Sequence, residues 1–505
     1  MTMALFTDGY KTFHESAMHP DIVGMYGNFT NRHNRLSNLP DNRLNGVAFL
    51  GLQYVCMDTL IKGWNETFFD VPKAVIIPQI KRILDAYLGI DYNVSHYEEL
   101  HDLGYLPIKI KAVPEGTIVP YGIASFTIQT TVDGFQWLAL YLETVLSCEL
   151  WGMSTSLSTS TYYMMQSREL FKEAGLPNDM LPFINHDFSM RGMSGKQSAM
   201  TSGFSHLAAG HCGTDTLPAI MFAEEYYGAD MTKELVGCSV KATEHSCNSA
   251  AILIYAKKYN VTKFEAEVEY VRTLLKQNPT GILSYVSDTY DFWRFVTEGL
   301  DLLKDEIMAR DGTFVIRPDS GTPEDILCGD MNFMEGTPQY KGLIEVLADK
   351  FDTTPNKKGI RVLNSHIGAI YGDAITVQRQ QLIGTRLIEK KLSPAVVLGV
   401  GSYSYQYVTR DTHGSAIKCT AAFLKDDSVI DVFKDPKTDA KKKSAKGLLR
   451  LERENGIIVQ YDEQTRVQEQ TGLLEDVFVD SKLVRTTTLY EIRQVVKGQL
   501  DTLIG

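Results

Sequence analysis

From Lys263 to Lys276 the apolar residues Phe264, Val268, Val271, Leu274 and Leu275 fall at i, i+4, i+7, i+10 and i+11. That spacing predicts a helix with one buried face. Directly after it, a short β-prone run, Ile282 to Val286, leads into the polar pair Ser287-Asp288. The same order recurs along the chain. Phe183-Ile184 runs into Asn185-His186-Asp187, His211-Cys212 into Gly213 to Thr216, and Leu235 to Val240 into Thr243 to Ser246. Phe314 to Ile316 runs into Arg317 to Gly321, Ala369 to Tyr371 into Gly372-Asp373, and Ala395 to Leu398 into Gly399 to Ser402. With His186, Asp215, Ser239, Ser284, Arg317, Gly372 and Ser402 as markers, the units are 24 to 55 residues long. A regular (β/α)8 barrel uses about 31 residues per unit and keeps its chemistry at the carboxyl ends of its strands. Strand, polar exit and helix, repeated about seven times, predict an α/β fold with an irregular (β/α) barrel-like domain over residues 181–410.

The flanks follow another pattern. Leu106 to Thr131 alternates apolar and polar residues and is broken by Pro and Gly, as an antiparallel sheet requires. Residues 1–180 and 411–505 are therefore expected to form a second, mixed α+β domain from the two ends of the chain. The lysine-rich stretch Lys434 to Gly447 is read as a surface loop.

Composition narrows the functional classes. The 505 residues are 44% hydrophobic and 22% charged, and 50 Lys and Arg against 62 Asp and Glu give a net charge of −12. Such a field repels nucleic acid and anionic lipid. There is no apolar run of 18 residues, and Met1 to Lys11 lacks the basic and apolar regions of a signal peptide. The seven cysteines are scattered, with no CxxC pair, so neither a zinc site nor a disulfide framework is expected. The expectation is a soluble, cytoplasmic protein without nucleic-acid or membrane partners.

Familiar nucleotide motifs fail in instructive ways. Gly399-Val400-Gly401 opens like GxGxxG, but Ser404 stands at the third glycine, and Gly195-Lys196 is followed by Gln197 where a P-loop needs Ser or Thr. HExxH and GxSxG are absent. The strand exits instead supply Arg191, Arg317 and Arg410, the carboxylates Asp215, Asp319 and Asp373, the imidazole of His245, and glycines at 372 and 401. Arginine forks and bare glycine amides suit phosphate oxygens, and carboxylates suit ribose hydroxyls or magnesium, so a phosphorylated sugar fits this set best. The pair His186-Asp187 is read as a structural turn. Arg317 has an alternative as a buried salt-bridge partner, and Tyr10 as an N-terminal core anchor.

At these residues the sequence resembles the type II phosphoribosyltransferases of the nicotinate/nicotinamide phosphoribosyltransferase family. The matching pieces include TDGYK from Thr7, FLGLQY from Phe49, LPIKIKAVPEG from Leu106, HDF from His186, GTDT from Gly213 and EHS from Glu244. They continue with VSDTYD from Val286, IRPDSG from Ile316, YGD from Tyr371, TRD from Thr409 and VFKDP from Val432. The resemblance implies transfer of a phosphoribosyl group from 5-phosphoribosyl 1-diphosphate to nicotinamide, with nicotinate as the competing substrate and a non-catalytic binding protein as the other alternative. It implies Mg2+ with the diphosphate, ATP as a coupled activator, and a homodimer with shared sites. By position, Phe188 and Tyr10 of the partner subunit would sandwich the pyridine ring. Asp215 would accept from the carboxamide, with Arg317 nearby. Arg191, His245 and Arg317 would hold diphosphate, with His245 also the residue phosphorylated by ATP. Asp319, the second catalytic residue, and Asp373 would address the ribose. Gly372, Gly401, Ser402 and Arg410 would line the 5′-phosphate pocket. Arg32 and Lys442 would approach phosphates from the neighbouring chain. Two departures from the family pattern stand out: Val400-Gly401-Ser402-Tyr403 replaces a glycine run, and Glu224-Glu225 stand where lysines are expected.

Overall fold

The computed structural model describes residues 1–433 and 445–504, without the side chain of Asp373. Most of the lysine-rich stretch, including Lys442, lies outside the described residues. A seven-stranded antiparallel sheet runs in the order Val429–Asp431, Ser415–Leu424, Ile22–Asn31, Ala124–Thr130, Ile108–Ala112, Glu475–Val479, Lys482–Leu483. The alternating stretch supplies two of these strands, paired from Ile108↔Thr130 to Ala112↔Phe126. Between them Ile118–Pro120 pairs with Gly46–Ala48. The interior strand Ile22–Asn31 has six of its ten residues buried and none exposed, and Phe29 stacks on its cross-strand partner Phe126 at 5.2 Å.

The parallel sheet carries the site. Its order is Asn185–Asp187, Val397–Val400, Ile367–Ile375, Phe314–Arg317, Leu283–Val286, Lys241–Ala242. Two parallel bridges, Asp187↔Thr214 and Gly213↔Cys238, continue it. Because Cys238 and Lys241 belong to one short stretch, the pairing returns to its start, and the curled sheet is barrel-like as the strand and exit pattern predicts.

Each helix closes a unit for a local reason. In Lys263–Gln277 the Thr262 hydroxyl accepts from Glu265 N while the Glu265 carboxylate accepts from Thr262 N, a reciprocal cap. Val268, Val271 and Leu275 are buried, with Phe264 and Leu274 packed at the edge. The 32-residue helix Glu143–Ala174 packs against helices Lys196–Ala208 and Val377–Glu389 and strand Ser415–Leu424, joining both sheets. Its centre, Ser154 to Thr161, is buried although polar, because Ser158 and Thr159 return their hydroxyls to the carbonyls of Ser154 and Thr155. In the last helix, Leu489–Ile504, Arg493 donates to the carbonyls of Leu207, Leu235 and Val236. One continuous apolar core spans both sheets.

Within this core Glu267 is 2% exposed and accepts a 2.9 Å hydrogen bond from Tyr285. Burial pushes its carboxyl up to about 7 from an ordinary value of 4.5. The folded protein therefore holds this proton more tightly than the unfolded chain. The resulting stabilisation is complete below about pH 4.5 and is lost as pH rises through about 7. Glu267→Gln, which cannot ionise, should leave the melting point near pH 5 little changed and raise stability at pH 8 by about 3 kcal/mol. A difference from wild type that does not vary with pH would show that Glu267 is not buried as a neutral acid.

Candidate functional site

The carboxyl ends of the parallel strands open into one cavity of about 900 Å³. Phe188, Arg191, Asp215, Arg317, Asp319, Gly372, Gly401 and Ser402 line it together. Phe188 follows strand Asn185–Asp187, and Arg191 sits exposed on the short 3-10 turn Met190–Gly192. A Cβ at Gly372 would sit 2.5 Å from Asp319 Oδ1, so a larger residue there would displace the Asp319 carboxylate. At Gly401 a Cβ would meet nothing within 4 Å, so the backbone faces open cavity.

Arg317 ends strand Phe314–Arg317 and is half-buried. Its Nη2 donates to the Thr243 carbonyl at 2.5 Å, and its Nε is buried without a partner among the described residues. Burial pushes the guanidinium down, and the charges of Asp319, Asp215, Asp288 and Glu244 act against that. Among the described residues it forms no contact ion pair. An orphaned guanidinium edge on a cavity wall is suited to bind an anion.

Asp215 accepts from His186 Nε2 at 2.9 Å and from the Ser239 hydroxyl at 2.6 Å, both on Oδ1. Burial opposes its charge, but these hydrogen bonds and the Arg317 charge hold it below the ordinary carboxylate range. Oδ2 is left to accept from a ligand. The turn after this strand is satisfied by Asp187, which takes Ser189 N at 2.9 Å. His186 is thus no part of the turn, contrary to the sequence reading.

His245 opens helix His245–Tyr259 and pairs through Nε2 with Asp288 Oδ1 at 2.9 Å. The Asp288 side chain is 5% exposed, and its Oδ2 accepts from Asp319 N and the Ser320 hydroxyl. Asp288 therefore ties the His245 helix to the Asp319 loop. Sequence reasoning assigned it no role, although it lies in the quoted VSDTYD stretch, because a residue that acts on other side chains leaves no local signature.

The remaining candidates lie elsewhere. Tyr10 is 68% exposed, and the neighbouring Lys11, buried against the Leu140 carbonyl and Glu143, does the anchoring instead. Arg32 donates to the Gly414 carbonyl at 2.7 Å, and burial together with the Arg410 charge pushes its guanidinium down. Arg410 also acts on the Tyr10 phenol. The Arg410 charge thus reaches both residues, and none of the three lines the cavity of their own chain. This separates Arg410 from Gly372, Gly401 and Ser402, with which sequence reasoning grouped it. The Asp373 side chain and Lys442 lie outside the described residues. The Glu224 carboxylate takes Met231 N, and Glu225 faces a different cavity with Asp58 and Glu149, so neither lines the cavity at the strand ends.

A barrel with arginine, carboxylate and bare glycine backbone at its carboxyl end defines a binder of phosphorylated sugars. The profile of the nicotinate phosphoribosyltransferase (NAPRTase) family matches residues 183–482. The nicotinamide phosphoribosyltransferase of Acinetobacter baylyi is 40% identical over 98% of this chain and 97% of its own length. That of Xanthomonas campestris is 33% identical over 88% and 89%. In fold, the chain is similar to a nicotinate-nucleotide pyrophosphorylase from Pyrococcus furiosus (TM-score 0.56, 13% identity, 99% and 96% of the two chains). It is similar also to human nicotinic acid phosphoribosyltransferase (TM-score 0.52, 12% identity, 99% and 94%). The chain belongs to the nicotinate phosphoribosyltransferase family and is an enzyme of phosphoribosyl transfer.

Removing the orphaned guanidinium separates ligand binding from bracing. Arg317→Ala should weaken binding of inorganic diphosphate, measured calorimetrically, by about 10-fold or more, with little change in melting temperature. Unaltered diphosphate affinity in a folded variant would remove Arg317 from the ligand contacts, and outright unfolding would show that it braces the fold.

Proposed function

We propose that this enzyme transfers the 5-phosphoribosyl group of 5-phosphoribosyl 1-diphosphate to nicotinamide, giving nicotinamide mononucleotide and diphosphate in NAD salvage. The observation that carries the choice of base is Asp215, a carboxylate held in its charged form on the cavity wall with Oδ2 open. It accepts the carboxamide N–H and repels the carboxylate of nicotinate. The relatives that match nearly the whole chain bear the name nicotinamide phosphoribosyltransferase, which supports the same choice.

In this reading Phe188 stacks on the pyridine ring, Arg191, Arg317 and His245 hold the diphosphate, and Asp319 with Asp373 addresses the ribose. Gly372, Gly401 and Ser402 take the 5′-phosphate. The ring nitrogen already carries a lone pair, so no general base is needed. The work of the protein is to align it with the ribose carbon and to neutralise the departing diphosphate.

Among the described residues one chain brings fewer positive than negative side chains to this cavity. Arg191 and Arg317 face three carboxylates, Asp215, Glu244 and Asp319, on the described cavity wall. The reading therefore includes a homodimer in which Tyr10, Arg32 and Arg410 of the partner subunit, together with Lys442 of the partner subunit, complete each site. Among the described residues no three metal-binding side chains converge. Magnesium is accordingly assigned to the diphosphate oxygens, with Asp319 the carboxylate at hand, and when bound it supplies charge neutralisation. ATP is assigned as a coupled activator that phosphorylates His245. All seven cysteines are free thiols, and among the described residues no helix is long and apolar enough to cross a membrane. We place the reaction in the reducing cytosol.

Product analysis with nicotinamide and nicotinate offered separately tests the proposal, and nicotinamide mononucleotide is the expected product. Asp215→Asn should lower kcat/KM for nicotinamide by about 10- to 100-fold and spare nicotinate. Preferential formation of nicotinate mononucleotide by wild type would overturn the choice of base.

A further inference from the structure

The geometry points to His186 as the positioning residue that sets base specificity, holding the amide-reading carboxylate and the ring platform in one register. Residues 186 and 188 lie two apart at the end of an extended strand, so their side chains share a face while Asp187 turns to the other. The His186 imidazole, 8% exposed, donates from Nε2 to Asp215 Oδ1 at 2.9 Å and lies against the Phe188 ring, with centroids 4.5 Å apart and planes 35° apart. A single rigid ring therefore touches both groups that meet the base. Ser239 binds the same oxygen, so the two donors fix the Asp215 carboxylate plane and leave Oδ2 for the ligand. With one donor removed, the carboxylate can turn about its remaining hydrogen bond.

The backbone makes room for this ring. A Cβ on Gly213 would lie 2.8 Å from His186 Nδ1. Glycine at the head of GTDT is what lets the imidazole reach Asp215, two residues further on. This inference rests on the proposed reading of Asp215 as acceptor of the carboxamide, and the experiment must separate the two.

We would compare wild type, His186→Ala, His186→Gln, Gly213→Ala and Asp215→Asn. The readouts are kcat/KM for nicotinamide and for nicotinate, KM for 5-phosphoribosyl 1-diphosphate, and the melting temperature. His186→Ala should lower the nicotinamide-to-nicotinate ratio by about 10-fold or more, through KM for the base, with KM for the phosphoribosyl donor unchanged. His186→Gln keeps an N–H near the ε position and should recover most of the ratio. Gly213→Ala, which displaces the ring without touching a functional group, should lower it as His186→Ala does. Equal losses for both bases, or a Gln variant no better than Ala, would reduce His186 to a space-filling ring and overturn the inference. If Asp215→Asn lowers the ratio and His186→Ala does not, this inference alone fails. If Asp215→Asn leaves the ratio unchanged, the reading of Asp215 fails and takes the role of His186 with it.

Discussion

A positive charge that is half-buried, with no contact counterion among the described residues, governs the arrangement around it. Among the described residues Arg317 is fixed by a carbonyl, Thr243 O, and its charge is compensated at a distance by Asp215, Asp288, Asp319 and Glu244. A directly paired guanidinium would have to break that pair to bind an anion, at a cost comparable to the gain. Diffuse compensation keeps the charge tolerable in the fold and leaves the orphaned Nε to a ligand. The same carboxylates each have a second task. Asp288 holds His245 and the Asp319 loop, and Asp215, kept charged partly by Arg317, faces the cavity. Pre-set charges of this kind need no reorganisation when the substrate arrives.

What the sequence makes legible follows from the range of the interactions. The barrel-like sheet is legible because most of its parallel strands are short apolar runs leading into polar residues: Arg317 and Ser402 lie at or just past a carboxyl end and Asp215 and Ser239 just past the bridged Thr214 and Cys238, while His186, Ser284 and Gly372 lie inside their strands. Its closure is not, since single bridges at Gly213 and Cys238 complete it. The interior strand Ile22–Asn31 takes one neighbour from each end of the chain, Ser415–Leu424 and Ala124–Thr130, a long-range pairing that no local pattern encodes. The helix Glu143–Ala174 hides for another reason. Its buried centre is rich in serine and threonine, which reads as surface until hydroxyls such as those of Ser158 and Thr159 are seen to donate to the helix's own carbonyls.

At the site, residues that point straight into the cavity from a motif are legible: Phe188, Asp215, Arg317 and Asp319. Residues that work through a neighbour are not. His186 offers a His-Asp pair that suggests a turn, yet only Asp187 serves the turn, while the imidazole crosses to the next strand. Arg410 shares the chemistry of the cavity arginines and shows no sequence sign that it belongs with Arg32 and Tyr10 instead.

That last grouping divides the proposed site in two. Ring platform, amide reader and Arg317 stand on the barrel, and an exposed tyrosine with two arginines stands apart from them in the same chain. The central claim is that two copies bring these halves together. Tyr10→Ala and Phe188→Ala chains, each inactive alone, can be co-expressed with different affinity tags and purified through both tags. A mixed dimer then holds one intact site and one doubly damaged site, and its activity should be about half that of wild type. Doubly tagged protein no more active than its parents, or no doubly tagged protein at all, would contradict the account.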